Sequence, residues 1–318
     1  MTLLIVRRRG LGHSTCKALS SLLGDVGIQT TIWRNDRRFP TTELLSSGQD
    51  TMDLLGVLRW GCTSETPLAS SGRGVSINGS RGIHTVNNKT QFLLKLQEEM
   101  EDQTGLLPVI TSTSTRSEGF TNVSNGTQWV VRPHHHSQGR NLRVVTPQML
   151  AQMFSSGQMS NYYARPLIQK KAEYRVYVMN GRVVNVAQKT PGNPADIAWN
   201  VARGGRFDNV RWGDWPTKVV DLACRVFPHT GLNITGIDIM VDHDDNAWFI
   251  EANSAPSLPF NSDGSTTHRQ QCVAKGIHYM LTVSNEMLTP TQDEGWRGYI
   301  HPAIWPRAAT EQEEITDG

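Results

Sequence analysis

The 318-residue sequence predicts a globular protein of mixed α/β (α+β) class. Near its beginning an apolar run, Leu3–Val6, is followed by a glycine turn, a helical pattern and a second strand at Gly27–Trp33. This order is typical of the beginning of an α/β layer. Two hairpin patterns follow later in the chain. One turns at Asn180–Gly181, a dipeptide that favours tight hairpin turns, and the other turns at His243–Asn246.

The other elements are predicted in chain order from hydrophobic periodicity. A strand at Leu54–Trp60 precedes a helix with Asn88 or Asn87 as its cap, in which Phe92, Leu93, Leu96 and Met100 recur at helical spacing. Further strands are predicted at Gln128–Val131, Tyr163–Ile168, Tyr174–Met179 and Val183–Ala187, and further helices at Thr217–Phe227 and Thr267–Thr282. The polar stretches Asp36–Asp50 and Ser64–Gly82 are expected to be loops, and Thr310–Gly318 to be a disordered acidic tail.

Composition excludes several classes of protein. The net charge of +2 offers no basic field for nucleic acid. The four cysteines lie far apart without a CxxC pair, which argues for reduced thiols rather than a disulfide framework or a zinc site. No apolar stretch approaches the roughly 20 residues of a membrane span, and the first residues do not read as a signal peptide. We therefore expect a soluble cytoplasmic protein with neither nucleic acid nor membrane as a partner.

A candidate metal site lies in the second hairpin. If Asp238 on its first strand pairs near Glu251 on its second, both carboxylates share a face, with Asn253 just beyond them. Two carboxylates and an amide oxygen are hard ligands that suit Mg²⁺. The alternative is an ordinary hairpin whose acidic side chains face solvent. Glu251 follows an apolar run and precedes a loop of small residues, so the sequence favours the metal site.

Three other features each allow two interpretations. The Gly10–Gly12 turn resembles half of a dinucleotide fingerprint, but the third glycine is absent, and a helix N-terminus that binds a substrate carboxylate is the preferred interpretation. Lys89 occupies the first turn of a helix, where the dipole disfavours a cation, so it is either a surface lysine or one directed at an anion. The donor-rich loop His134–Asn141 is suited to covering phosphates, whereas its three adjacent histidines suggest metal.

Five segments, in this order, resemble the ATP-grasp ligases: NNKTQFLLKL, WVVRPHHHSQGRN, PLIQKKAEYRVYVMNGRVVNVAQK, WNVARGG and GIDIMVDHDDNAWFIEANSAP. The resemblance covers roughly Asn87 to Pro259. Within this superfamily the sequence is similar to carboxylate–amine ligases such as ribosomal-protein glutamate ligase. Its RWG-containing front segment is also similar to phage-encoded COOH–NH2 ligases. The resemblance implies an ATP-grasp fold, with two α+β subdomains gripping ATP behind a Rossmann-like pre-ATP-grasp α/β domain.

The implied domains are a substrate-side domain at 1–88, a central ATP-grasp subdomain with a lid loop at 89–168, a C-terminal subdomain with the magnesium site at 169–290, and an irregular acidic tail at 291–318. The resemblance also assigns roles to single residues. The implied magnesium ligands are Asp238, Glu251 and Asn253. The implied nucleotide-binding residues are Lys89, Arg132 (where the family usually has lysine), the lid residues Ser137, Gln138 and Gly139, the adenine-linker residues Gln169 and Lys170, and the ribose-binding Glu173. The implied catalytic residues around the γ-phosphate are Arg175, Lys189, Asn200 and Arg203.

The function implied is an ATP-dependent carboxylate–amine ligase that forms an amide bond through an acyl phosphate and releases ADP and phosphate. Its cofactors would be ATP and one or two Mg²⁺ ions, or Mn²⁺, and its substrates a small-molecule or peptide carboxylate and an amine. These are expected to bind the front domain and the loop Ser254–Ser265. An amino acid, a peptide terminus and a protein side chain all remain candidates, and the oligomeric state is not predicted.

Two alternatives stay open for the function. One is an ATP-grasp module that binds nucleotide without ligating, which Arg132 favours, and the other is a phosphotransferase acting on a hydroxyl. A Rossmann dehydrogenase is set aside because its glycine pattern is incomplete. If the ligase interpretation holds, Glu251→Gln or Asp238→Asn is expected to abolish ATP turnover and leave the fold intact.

Overall fold

The computed structural model of the chain describes residues 2–37, 54–64, 74–113, 127–134, 141–193, 196–199, 204–261, 263–291 and 297–304. Within them the strands form three sheets, each built from a successive stretch of sequence. The first sheet is parallel and has the order β2-β1-β3-β4, and its strands are β1 (Thr2–Arg7), β2 (Gln29–Arg34), β3 (Leu54–Trp60) and β4 (Val75–Ile77). Helix α1 (His13–Gly24) connects β1 to β2, and α2 (Ser80–Asn87) follows β4. This is the predicted α/β layer.

The second sheet is small and antiparallel. Helix α3 (Lys89–Glu99) precedes it, and its order is β6-β5-β7. Its strands are β5 (Trp129–Pro133), β6 (Arg143–Val145) and β7 (Tyr162–Pro166), with α4 (Pro147–Ser155) and a 3₁₀ turn (Gln158–Asn161) between the last two. Trp129, Val131, Leu150 and Ala164 form its apolar core together with Ile110. The predicted strands in this region are confirmed, although Ile168 lies beyond the end of β7.

The third sheet is antiparallel, with the order β10-β9-β8-β11-β12. Its strands are β8 (Lys170–Met179), β9 (Arg182–Thr190), β10 (Arg206–Asn209), β11 (Ile234–Asp242) and β12 (Ala247–Asn253). Helix α5 (Thr217–Thr230) packs on the face that carries Ile237 and Ile239, and α6 (His268–Thr282) follows β12. Burial of these apolar faces supplies the main driving force for forming the largest core.

The turn predicted between β8 and β9 is confirmed. Asn180 and Gly181 both have positive φ, 44° and 91°, as a two-residue turn that matches the strand twist requires. A side chain at Gly181 would also overlap the carbonyl oxygen of Leu288, so the position excludes larger residues for two reasons.

One prediction about local structure is confirmed and one is wrong. The helix predicted after Asn87, with Asn88 or Asn87 as its cap, is α3, and Asn88 caps it by accepting from the Gln91 amide; the shorter helix α2 ends directly before it, at Asn87. The expected loop at Ser64–Gly82 contains β4 and the first turn of α2. The predicted tail at Thr310–Gly318 lies outside the described residues, and the division at 88, 168 and 290 stays a prediction. Within the described ranges, no helix is long and apolar enough to cross a membrane.

Candidate functional site

A β-bulge positions the acidic side chains of the second hairpin. Asp238 lies opposite Glu251, as predicted, but Ile239 lies opposite Phe249, so Ile250 is an extra residue on β12. In a regular strand Phe249 and Glu251, which are two residues apart, would lie on the same face. The bulge places them on opposite faces, so Phe249 packs into the core against Phe92 while Glu251 lies beside Asp238. The bulge therefore separates a core side chain from a functional one.

The same face carries a buried network of alternating charges. Asp238 pairs across the sheet with Arg175, which donates from Nε to Oδ1 at 2.6 Å and from one terminal nitrogen to Oδ2 at 2.8 Å. Lys189 donates to Asp238 Oδ2 at 2.7 Å and also to Glu173, its cross-strand neighbour. Lys170 donates to the other oxygen of Glu173. Each carboxylate is thus held between two cations.

These contacts fix the charge states of the network. Burial alone raises the pKa of Asp238, but Arg175 and Lys189 more than offset it and hold that pKa well below its usual range. Burial likewise lowers the pKa of Lys189, and Asp238 and Glu173 reverse the shift, so the net pKa is raised. Asp238 and Lys189 are therefore both ionised at neutral pH. Because removing one member would leave a buried charge unpaired, the network holds its geometry firmly.

Glu251 and Asn253 form the more accessible part of the site. The Asn253 amide nitrogen donates to Glu251 Oε1 at 3.2 Å, and the Lys89 ammonium lies 3.8 Å from Glu251 Oε2. Lys89 also donates to the carbonyl of Ala252 at 2.6 Å. Burial raises the pKa of Glu251, but Lys89, with smaller contributions from Lys189 and Arg132, holds the net pKa below its usual value. Lys89 is therefore directed at the acidic face rather than at solvent.

Arg132 reaches the site from the second sheet. It pairs with Tyr163 across β5 and β7, where burial raises the pKa of Tyr163 and the Arg132 charge offsets part of that rise; the same charge makes a small contribution to lowering the pKa of Glu251. Next to it, His134 stacks on Tyr163 and its Nδ1 lies 2.8 Å from Thr90 Oγ1, in the first turn of α3. The second sheet and the Lys89 helix are thereby joined beside the carboxylates.

The predicted adenine linker, Leu167–Lys170, runs from β7 to the first residue of β8. Gln169 is exposed there, whereas Lys170 is drawn inward, where it donates to the Ile197 carbonyl at 2.8 Å and lies 4.4 Å from the ring centre of Trp199. Glu173 is buried, and its carboxylate oxygens are occupied by lysines. Its role toward a ribose therefore stays a prediction.

Five of the predicted residues fall outside the described ranges. They are Ser137, Gln138, Gly139, Asn200 and Arg203. The other predicted residues on the third sheet, Glu173, Arg175, Lys189, Asp238, Glu251 and Asn253, lie on one face of it. The sequence interpretation missed Phe207, which lies opposite Lys189 and within 4.9 Å of the Arg175 guanidinium. Its position on a short strand between polar residues gave no periodic signal.

The donor set fits Mg²⁺ by its chemistry. In the described part of the chain no group of three His, Cys, Asp or Glu side chains is placed to hold a metal, so the candidate set depends on the Asn253 amide as its third donor. Asp238, Glu251 and Asn253 supply only oxygen donors, and the Asn253 amide oxygen accepts no hydrogen bond from the described residues. Mg²⁺ takes one or two carboxylates and completes its shell with water and phosphate, which matches this incomplete set.

Comparison with known proteins gives a consistent picture of the fold. The YheC/D-like ATP-grasp family model matches residues 225–283, the stretch that contains Asp238, Glu251 and Asn253. No curated protein matches the chain.

Solved structures match over most of the length. The ATP-grasp ligase PsnB, complexed with a phosphomimetic variant of its minimal precursor, Mg and ADP, has a TM-score of 0.62 at 13% identity, over 88% of this chain and 98% of that one. The macrocyclase MdnC from Microcystis aeruginosa MRC, bound with precursor peptide MdnA, has a TM-score of 0.58 at 18% identity, over 86% and 98%. The D-alanine–D-alanine ligase from Bacillus anthracis, complexed with ATP, has a TM-score of 0.56 at 13% identity, over 88% and 93%.

These similarities and the sheet architecture define the class of protein: the chain has the ATP-grasp fold, as the sequence predicted.

Proposed function

We propose that this protein is an ATP-dependent carboxylate–amine ligase that forms an amide bond through an acyl phosphate. The observation that carries the proposal is the sheet face on which Asp238, Glu251 and Asn253 lie beside Lys89, Arg175 and Lys189. The ligases named among its structural neighbours support the same activity.

The reaction needs strong charge neutralisation because its first step brings two anions together. A substrate carboxylate oxygen forms a bond to the γ-phosphorus of ATP as the bond to ADP breaks, which converts a poor leaving group into phosphate. Asp238, Glu251 and Asn253 would hold Mg²⁺, which neutralises the phosphate oxygens when bound. Lys89 and Arg132 lie beside these ligands and would bind the same phosphates.

The second step forms the carbon–nitrogen bond. The amine attacks the acyl carbon, phosphate leaves with the former carboxylate oxygen, and the nitrogen loses a proton to solvent or phosphate. We assign Arg175 and Lys189 to positioning, since both are buried against Asp238 and hold it ionised in one orientation. Asn200 and Arg203 are proposed to contact the transferred phosphate, and the loop with Ser137, Gln138 and Gly139 to exclude water from the acyl phosphate.

Nucleotide recognition is proposed for the chain between the second and third sheets. The main chain of the linker would pair with adenine, with Gln169 and Lys170 beside it and Glu173 near the ribose. Trp199 adds an aromatic surface against which Lys170 is already placed.

The test is to incubate the pure protein with ATP, Mg²⁺ and pooled amino acids or peptides, and to measure ADP, phosphate and product mass together. Ligation gives ADP and free phosphate in equal amounts with a product formed by loss of water from two substrates. A product heavier by one phosphoryl group, without free phosphate, identifies a phosphotransferase instead. ATP binding without any turnover in a broad pool would favour the binding-module alternative.

A further inference from the structure

A basic cavity of about 990 Å³ lies in the parallel sheet, apart from the residues that form the candidate site. It opens between the carboxyl ends of β1 and β2 and the N-terminus of α1. Its basic lining side chains are Arg7, His13, Lys17, Arg34 and Arg37. The strand ends of a parallel sheet, next to a helix N-terminus, are a common place for ligands in α/β proteins.

Arg7 is a buried cation that forms no ion pair with any residue in the described ranges. Its side chain is 9% exposed and lines the cavity, and its Nε makes no hydrogen bond within the described residues. One terminal nitrogen donates to the Arg8 carbonyl at a long 3.4 Å, which leaves most of its hydrogen-bonding capacity unused. A buried guanidinium costs free energy unless an anion reaches it, and the cavity is the route by which one would.

The N-terminus of α1 adds positive potential to the same cavity. Gly12 caps the helix with φ of 63° and no side-chain hydrogen bond, and the first turn contains no acidic residue. Gly12, His13 and Ser14 line the cavity, so the positive end of the helix dipole lies at its wall without an acidic residue in the first turn to offset it. Desolvation and the charges of Arg7, Lys17 and Arg34 lower the pKa of His13, which shows how positive the surroundings are. Arg34 is partly offset by its ion pair with Asp36.

The cavity lies next to the loop that follows the candidate metal site in the sequence. The Leu258 amide, in the loop after Asn253, donates to Thr15 Oγ1 in the first turn of α1 at 3.2 Å. Gly61 lies between Leu11 and Ala255, so closely that an added Cβ would be 2.6 Å from one and 2.8 Å from the other. A ligand held at the α1 N-terminus would thus lie beside the loop expected to receive substrates.

We propose that this cavity binds a segment of peptide rich in Asp or Glu, as the recognition site for an acidic peptide substrate. The proposal names the substrate class and so rests on the ligase function. A cavity of this size is at the upper end for a small-molecule site, and its five basic side chains come from β1, α1, β2 and the turn after β2, so they can pair with several carboxylates. Trp33 and Ile32 add an apolar wall for side-chain methylenes. The net charge of only +2 gives the chain no overall basic field, which disfavours nucleic acid as the ligand.

The experiment measures binding directly, without turnover. Fluorescein-labelled hexaglutamate and hexaglutamine are titrated with the full chain by fluorescence anisotropy, at low and at moderate salt. We expect hexaglutamate to bind, hexaglutamine to bind at least about tenfold more weakly, and salt to weaken the first selectively. Inorganic phosphate and triphosphate serve as competitors.

Two charge reversals form a matched pair. Lys17 is exposed on α1 and lines the cavity, whereas Lys275 is exposed on α6 and does not. Lys17→Glu should weaken hexaglutamate binding by about tenfold or more, and Lys275→Glu should leave it unchanged. Because Lys17 is on the surface, this test does not depend on whether an Arg7→Gln variant folds.

Equal binding of the two peptides, or equal effects of the two reversals, would overturn the proposal. Binding of phosphate alone, with no hexaglutamate bound, would overturn it too. The Glu251→Gln variant separates this proposal from the ligase function, since it should keep hexaglutamate binding while losing ADP release. If the protein forms amides but does not bind hexaglutamate, the cavity proposal is wrong and the ligase function stands. If it binds hexaglutamate through Lys17 but forms no amide, the ligase function is wrong and the cavity still binds acidic peptide.

Discussion

The guanidinium of Arg175 and the carboxylate of Asp238 form a two-point ion pair across neighbouring strands, with donor–acceptor distances of 2.6 and 2.8 Å. Both side chains are nearly inaccessible, at 11% and 2% exposure. The pair explains why Asp238 keeps a fixed orientation beside Glu251, and it also means that Asp238 does two things. It would hold metal, and it balances the charges of Arg175 and Lys189.

This double role makes Glu251→Gln the cleaner probe of the metal site. The substitution keeps shape and removes one charge from a partly exposed side chain, so ATP turnover should fall by about a hundredfold or more while the fold stays intact. Turnover is measured as ADP release, and folding by thermal unfolding. Wild-type turnover in this variant would contradict the proposed site.

Asp238→Asn is expected to behave differently from the sequence-based expectation of an intact fold. It leaves Arg175 and Lys189 buried with reduced compensation, so the free energy of unfolding should fall by about 3–5 kcal/mol in addition to the loss of turnover. Urea unfolding measures this loss. A stability equal to that of Glu251→Gln would show that the network is not held by Asp238.

Lys89 is predicted to contribute to ATP binding. Lys89→Met should weaken ATP affinity by about tenfold or more, because a hydrogen bond to a charged group contributes about 1.5–3 kcal/mol. Lys95→Met is the matched control, since Lys95 lies on the same helix but donates to the His229 carbonyl, away from the acidic face. Calorimetric titration with ATP and Mg²⁺ compares the two, and equal affinities would assign Lys89 to helix packing alone.

The sequence predicted those features of the site that depend on the alternation of side chains along a strand. The pairing of Asp238 with Glu251 and the turn at Asn180–Gly181 follow from local patterns, and the structure confirms both. The extra residue at Ile250 was not predictable in this way. The bulge allows Phe249 to pack into a core to which Phe92 from a distant helix contributes. Because that contact is between residues far apart in sequence, the periodicity of the strand does not reveal the bulge.

The buried charge network likewise depends on contacts far apart in sequence. The cross-strand pair of Glu173 with Lys189, and that of Arg175 with Asp238, require the register of β8, β9 and β11, which no short segment specifies. The resemblance to a family named most of these residues, and it assigned Glu173 to the ribose hydroxyls without indicating its lysine partners. In the structure two lysines occupy that carboxylate.

Close packing between α2 and α5 gives a prediction about stability. Gly82 lies where an added Cβ would overlap the carbonyl oxygen of Gly231, so Gly82→Ala must separate the two helices. Alanine normally favours a helix, yet here we expect a loss of about 1–3 kcal/mol. Gly24→Ala, in α1, is the control, because no atom lies within 4 Å of its added Cβ. Urea unfolding should show a lower free energy of unfolding for Gly82→Ala and an unchanged one for Gly24→Ala. Equal stabilities of the two variants would mean that the helices move apart at Gly231 with little cost.

The last described segment is expected to make stability depend on pH through His301. This side chain is fully buried, its Nδ1 accepts from the Ala303 amide at 3.1 Å, and its ring packs edge-on against Tyr279. Burial, with a smaller effect of the Arg182 charge, lowers its pKa from 6.5 to about 4. Above pH 6.5 both the folded and unfolded forms are neutral, and the full stability is present. As pH falls from 6.5 to about 4, the unfolded chain takes up a proton that the folded chain excludes, so stability falls by about 3 kcal/mol and then levels off.

The measurement is the urea unfolding free energy between pH 8 and pH 4 for the wild type and His301→Gln. Glutamine keeps a hydrogen-bond acceptor but does not titrate, so the difference between the two curves isolates this histidine from all other groups. The variant should lose less stability on acidification than the wild type, by about 3 kcal/mol at most. Its stability at pH 8 serves as the reference, because any packing defect is present at every pH. Parallel curves across the whole range would show that His301 takes up its proton equally in both states, and that its burial in the folded chain does not exclude water.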